Sequence, residues 1–368
     1  MRAVRWVLVV ALAATLWLGD TPAVEAQGSA VPVLDRPTTT TRAVVLTGRA
    51  RPRAAVAVQV LTSRWVTVRR VRAASTGRYR VVVPAPVTTR SYRAVSSRRA
   101  STVRRVVPPK PVPPPTDECG VRPKRRTGGY YACTLVEEFS GDALDTDRWL
   151  GQNMLGRGDR CVAAGPDTVA VAGGSLRLSV VRATDENPCP LRPDGTRGTY
   201  AAGWISTHGR WSQQYGRFEA RMRVQAADVP GLHEAFWLWP DTRFSSDADW
   251  PLSGEIDIAE TYSAHPDLVI PFLHYSADSG GPVDGLNTAW SCRTTRGGWH
   301  TYALEWTADR LEILVDGRSC LVNTSGASSF RKRFIINLTQ LLGAGVNAFD
   351  GTAPLPATME VDWVKAWL

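Results

Sequence analysis

The 368-residue chain is poor in the marks of several protein classes. Past Leu18 nothing approaches the ~20 consecutive apolar residues that a membrane-crossing helix requires, so no membrane insertion is expected. Long stretches with the 3.6-residue apolar period are nearly absent, which turns the reading away from helical folds. No Cys-x-x-Cys spacing occurs, and this argues against a thiolate metal centre. No internal repeat is evident. Between Arg36 and Arg105 there is no Asp, Glu or Lys, although the same stretch holds 17 Arg. Residues 106–368 carry 25 basic against 31 acidic side chains, so a basic N-terminal part precedes an acidic C-terminal one.

What is present divides the chain into four parts. Residues 1–26 place Arg2 and Arg5 before an apolar run from Trp6 to Leu18 and end in Val24-Glu25-Ala26, the pattern of a secretory signal peptide cut after Ala26. The protein is therefore expected to be secreted. All six cysteines follow this segment, and an even number in an oxidising compartment favours disulfides. Fifteen pairings are open to six cysteines; pairing of neighbours (Cys119 with Cys133, Cys161 with Cys189, Cys292 with Cys320) closes loops of modest length and is the expectation. Residues 27–106 contain short β-branched runs such as Ala43–Leu46, Val56–Val60, Trp65–Val68 and Arg80–Val83, broken at Gly48, Pro52, Gly77, Pro84 and Pro86. Such runs suggest a small all-β accessory domain of loosely immunoglobulin-like kind. Its arginine-only charge suits attachment to an acidic surface polymer, the alternative being a spacer that the arginines merely solvate. Residues 107–117, with Pro108, Pro109, Pro111 and Pro113–Pro115, read as a semi-rigid polyproline linker.

Residues 118–368 are long enough for one large domain. Runs at Thr168–Val171, Ser175–Val181, Gly216–Val224, Leu311–Val315 and Met359–Val364 are strand-like, and Gly173-Gly174 and Asp316-Gly317 supply turns. Two antiparallel sheets packed face to face, one of them curved, accommodate this pattern.

Within this domain Ser253-Gly254-Glu255-Ile256-Asp257-Ile258-Ala259-Glu260 packs three carboxylates among apolar side chains. On a strand, Glu255 and Asp257 share one face while Ile256 and Ile258 sink into the core. Glu260 would point the wrong way unless one extra residue near Ile258 and Ala259 forms a bulge. Like charges on one strand face, with no Lys or Arg among them, cost stability, and a purely structural strand avoids them. Cleavage of a glycosidic bond with retention needs such a group: a nucleophile and a proton donor about 5–5.5 Å apart. The alternative is a solvated strand edge.

Glu255–Glu260 resembles the Glu-x-Asp-x-x-Glu signature of glycoside hydrolase family 16, the laminarinase-like β-glucanases. Matching segments fall in order across the domain: Glu138-Phe139-Ser140-Gly141 with Trp149, Gly203–Thr207, Tyr215–Arg221, Ala235–Pro240, Trp250-Pro251, His274-Tyr275, His300–Trp306 and Val361–Val364. The resemblance implies a concanavalin-like β-jelly roll with an open substrate groove, no required cofactor and double displacement, with Glu255 as nucleophile, Glu260 as general acid/base and Asp257 between them. The implied substrate is a polysaccharide, β-1,3- or β-1,3-1,4-glucan; galactan hydrolysis, transglycosylation, or carbohydrate recognition without turnover are the alternatives. Trp250, Trp237 and Trp239 are the expected sugar-stacking residues, and many of the 11 Trp of this domain are expected in the core instead. His274 is expected to reach Glu260 or a sugar hydroxyl, or else to be satisfied by the backbone. The family's structural Ca²⁺ would correspond to Glu138, the backbone around Gly174, and Asp362, though each carboxylate could equally pair with an Arg. Ala259 in place of Met, Trp204, and the Asn337–Gln340 region depart from the family pattern. A monomer is expected.

Overall fold

A computed structural model describes residues 31–110, 113–245 and 249–368; the expected signal peptide lies outside the described residues. The chain divides into two compact units, one ending at Pro113 and one starting at Pro114.

In the first unit two small antiparallel sheets enclose a core of Leu34, Val44, Leu46, Val56, Val58, Tyr79, Val81, Tyr92 and Ala94. The β-branched runs become the strands Ala43–Arg49, Ala55–Leu61, Trp65–Arg72 and Arg78–Pro84. Arg78–Pro84 alternates strictly, with Tyr79, Val81 and Val83 inward and Arg78, Arg80 and Val82 outward. The strand Arg90–Ser96, which completes the second sheet beside Ala55–Leu61, has no comparable apolar run and was missed.

The second unit is a jelly-roll sandwich whose strands, apart from the short pair Thr116–Asp117 and Gly120–Val121, join in one nearly closed sheet. Five strands build the layer that carries the acidic residues: β1 (Tyr200–Ser206), β2 (Leu232–Pro240), β3 (Glu255–Tyr262), β4 (Ile270–His274) and β5 (Phe334–Leu342). Their spatial order is β4-β3-β2-β5-β1, all antiparallel. β1 turns the corner: its first half pairs with Val180–Arg182 of the opposing layer and its second half with Asn337–Gln340 of β5. The opposing layer centres on Ala357–Trp367, flanked by Ser175–Arg182 and Gly216–Arg223.

Side-chain alternation dictates this packing. In Gly216–Arg223, Phe218, Ala220 and Met222 are buried while Arg217, Glu219, Arg221 and Arg223 face outward. The inner faces interdigitate as one core that includes Phe218, Phe236, Leu238, Ile256, Ile258, Leu304, Trp306, Ile336 and Leu338. Burial of such large side chains contributes roughly 1.5–3 kcal/mol each before chain entropy is set against it. As expected, the cysteines pair Cys119–Cys133, Cys161–Cys189 and Cys292–Cys320.

Candidate active site

β3 begins at a glycine for a physical reason. Gly254 has φ +85°, and a Cβ there would meet the Ser329 carbonyl oxygen at 2.6 Å. From Glu255 the strand alternates, with Ile256 buried in the core and Asp257 on the opposite face. The regular register then breaks: Phe236 of β2 faces Ala259 and Trp237 faces Asp257, which leaves Ile258 as the extra residue of a bulge. Beyond it Glu260 faces Ala235, so it returns to the face of Glu255 and Asp257. The three acids line one surface, as the spacing anticipates.

Each acid has distinct partners. Trp250 Nε1 donates to Glu255 Oε2 at 2.8 Å. Asp257 is 4 % exposed, and its Oδ2 lies 3.4 Å from His274 Nε2. The other ring nitrogen of His274, Nδ1, sits 2.6 Å from the Ser279 carbonyl oxygen, to which it donates. His274 therefore reaches Asp257 rather than Glu260, and its far side is satisfied by backbone. Glu260 is held at both oxygens, with His233 Nε2 3.0 Å from Oε1 and the Tyr262 hydroxyl donating to Oε2 at 2.8 Å.

These surroundings set the protonation. Burial, with the charges of Glu255 and Glu260 beside it, pushes Asp257 well above the ordinary Asp range, so it stays neutral. Burial also pushes Glu255 up to about 7, with the Glu260 charge adding to the rise and the Trp250 hydrogen bond opposing it. For Glu260 burial acts upward, but the hydrogen bonds and charge from His233 and the bond from Tyr262 prevail and hold it below its usual value. Burial lowers the His274 pKa, keeping the ring neutral, which leaves Nε2 free to accept from protonated Asp257. The arrangement contains one buried neutral acid between two glutamates of opposed character.

Beside the acids lies an aromatic wall. Trp237 and Trp239 line a cavity of about 310 Å³ together with Gln152, Trp204, Ser206, His208, Ile335 and Asn337. Trp204 packs on Trp237 at 5.4 Å, and Trp237 on Trp239 at 6.2 Å between ring centroids. Trp204 Nε1 donates to Asn337 Oδ1 at 3.0 Å, and Asn337 Nδ2 is buried without a hydrogen-bond partner among the described residues. Trp250 is apart from this wall: it is half exposed, packs on His274 at 4.9 Å, and stands over Glu255. Trp149 and Trp306 are core residues.

The residues considered for Ca²⁺ do not fit that ion. Glu138 Oε1 is 3.2 Å from Lys365 Nζ, and Asp362 is paired with Arg221, which also stacks on Trp299 at 4.7 Å. Both carboxylates already have a cation, and among the described residues neither belongs to a cluster of converging ligand atoms. Gly174 contributes a left-handed turn residue, φ +76°, at the hairpin before Ser175.

Sequence reasoning missed His233 and Tyr262 as site residues, and it marked Trp204 and the Asn337–Gln340 region only as departures from the family pattern that alter the groove wall. The signal for His233 and Tyr262 was available. Period-two alternation puts His233 on the face of Trp237 and Trp239, and Tyr262 two residues past Glu260 on the acid-bearing face.

Comparison with known proteins agrees with the geometry. The family model for glycosyl hydrolases family 16 matches residues 162–365. A glucan endo-1,3-beta-glucosidase of Cryptopygus antarcticus is 30 % identical over 266 residues, 65 % of this chain and 93 % of that protein. A beta-glucanase of Rhodothermus marinus is 36 % identical over 119 residues, 32 % of this chain and 40 % of that protein. The X-ray structure of the laminarinase from Rhodothermus marinus superposes with a TM-score of 0.54 at 25 % identity, covering 64 % of this chain and 97 % of that one. With the matched segment enclosing the bulged acidic strand and most of the sandwich, the chain belongs to the glycosyl hydrolases of family 16.

Proposed function

We propose that this glycosidase is secreted and cleaves β-1,3- or β-1,3-1,4-glucan with retention, by double displacement. The observation that carries the reading is the bulge at Ile258, which returns Glu260 to the face of Glu255 so that both acids can flank one sugar bond. In the first step Glu255 attacks the anomeric carbon and forms a glycosyl ester while Glu260 protonates the departing oxygen. In the second, water attacks that carbon, Glu260 takes its proton, and the ester bond to Glu255 breaks. Asp257, neutral and buried, hydrogen-bonds within the group without adding a third charge. Trp250 orients Glu255, and the Trp204–Trp237–Trp239 cavity offers flat faces to a sugar ring beside the acids.

The names of the relatives favour glucan as the substrate. Three disulfides and the signal-like N-terminus favour export. The arginine-rich unit is assigned an anchoring role on anionic polymer. The test is Glu255→Gln, which removes the nucleophile and little else. Turnover of β-glucan should fall by about 10³-fold or more with melting unchanged; retained turnover would refute the assignment.

A further inference from the structure

Glu260 presents a difficulty to the mechanism just given. A proton donor must hold a proton when substrate arrives, yet both Glu260 oxygens accept bonds from protein donors that favour its ionised form. The groups that face it are therefore part of the donor. His233 is directly opposite Tyr262 in the β2–β3 register, and the two rings stack at 4.6 Å with planes 10° apart. The stack fixes the imidazole so that Nε2 lies 3.0 Å from Glu260 Oε1, close enough for a proton to cross.

Resting on the proposed function, we infer that His233 is a positioning residue that stores the proton Glu260 delivers, so that the His233–Glu260 pair acts as one acid/base. In the resting site the imidazolium faces the carboxylate. During glycosylation the His233 Nε2 proton passes to Glu260, and Glu260 gives a proton to the departing glycosidic oxygen as its bond to the anomeric carbon breaks and the Glu255 ester forms. When water attacks the ester, its proton passes to Glu260 and back to His233, which restores both groups. No other reactant is needed.

The remaining surroundings agree. On the face of His233, β3 offers Glu260 and Tyr262, with Asp257 farther along, and β5 offers the uncharged Leu341. β4 carries His274, which is turned to Asp257 and Ser279. Behind the sheet Glu234 is buried against Arg296, Thr261 and Gln340. Burial alone would lower the His233 pKa, but the Glu260 hydrogen bond and charge, with Glu234 behind, raise it above 6.5. The pair thus keeps a transferable proton to higher pH than a solitary carboxylic acid.

The experiment compares kcat/KM against pH for the wild-type chain, His233→Phe and His233→Gln on a soluble β-1,3-glucan oligosaccharide, with melting curves as the folding control. Phe keeps a ring to stack on Tyr262, Gln keeps a hydrogen-bond donor, and neither titrates. Both variants should lose activity at a descending limb about one pH unit lower than wild type, a roughly tenfold deficit on the alkaline side. A wild-type profile in either variant, or a limb moved to higher pH, overturns the inference. Independently of turnover, NMR titration of the His233 ring should show its pKa falling in Glu260→Gln; an unchanged value also overturns it. A wild-type chain that cleaves no β-glucan would refute the proposed function instead, and the NMR titration would still decide on the pair.

Discussion

The half-exposed Trp250 reaches Glu255, the proposed nucleophile, through a single indole N–H. That bond favours the ionised form of Glu255, opposing the burial that pushes its pKa up to about 7. A nucleophilic carboxylate must be ionised, so under the proposed mechanism the ascending limb of kcat/KM reports Glu255. Trp250→Phe keeps an aromatic face for sugar but removes the donor, and it should move that limb to higher pH; a limb unchanged or moved lower would show that the bond has no such role. At this scale the sequence revealed the acids and the tryptophans because residue type and spacing identify them. It did not reveal what each acid touches. His274 reaching Asp257 and His233 reaching Glu260 are contacts between strands far apart in the chain, set by register rather than by local pattern.

The bulged strand is the element on which the site depends. Period two fixes the faces of Glu255 and Asp257, and only the extra residue at Ile258 restores Glu260 to theirs. Deleting Ile258 should straighten the register and leave Glu260 two residues past Asp257, on the same face by strict alternation. Turnover should then survive at a lower melting temperature, because the core loses a fully buried isoleucine side chain; a deletion variant that keeps its melting temperature but loses turnover would show that the bulge does more than re-aim Glu260. This element was legible because the odd spacing of the third acid demands an irregularity. Arg90–Ser96 was not legible, since its few apolar positions are separated by Arg and Ser and its burial comes from the neighbouring strand and sheet. The hydrogen bond between Trp204 and Asn337 was equally hidden, since β1 and β5 lie far apart in sequence and only their pairing brings the two side chains together.

For the whole molecule, charge separates what the two units can do. The N-terminal unit exposes Arg69, Arg70 and Arg72 on Trp65–Arg72, while the C-terminal unit sets Glu255, Asp257 and Glu260 on one strand face. Exposed cations on a unit with no acidic residue between Arg36 and Arg105 favour polyanions through screened, long-range attraction. The full chain should therefore be retained on an anionic polysaccharide at ~0.05 M salt and released by ~0.5 M; Arg69→Ser with Arg70→Ser should weaken retention without changing glucan turnover. Retention that ignores salt would contradict an electrostatic anchor. The sandwich architecture was legible from alternating runs and turn glycines, because each strand declares its inner face by its own sequence. The corner at β1 was not, since one strand serving two layers reads locally like any other.

If Glu255 and Glu260 work from opposite sides of one sugar bond, the anomeric configuration of the first product reports it most directly. Proton NMR of a β-glucan oligosaccharide, recorded in the first moments of cleavage, should show the new reducing end as the β-anomer before it mutarotates. An initial α-anomer would mean inversion through a directly activated water and would contradict Glu255 as the nucleophile.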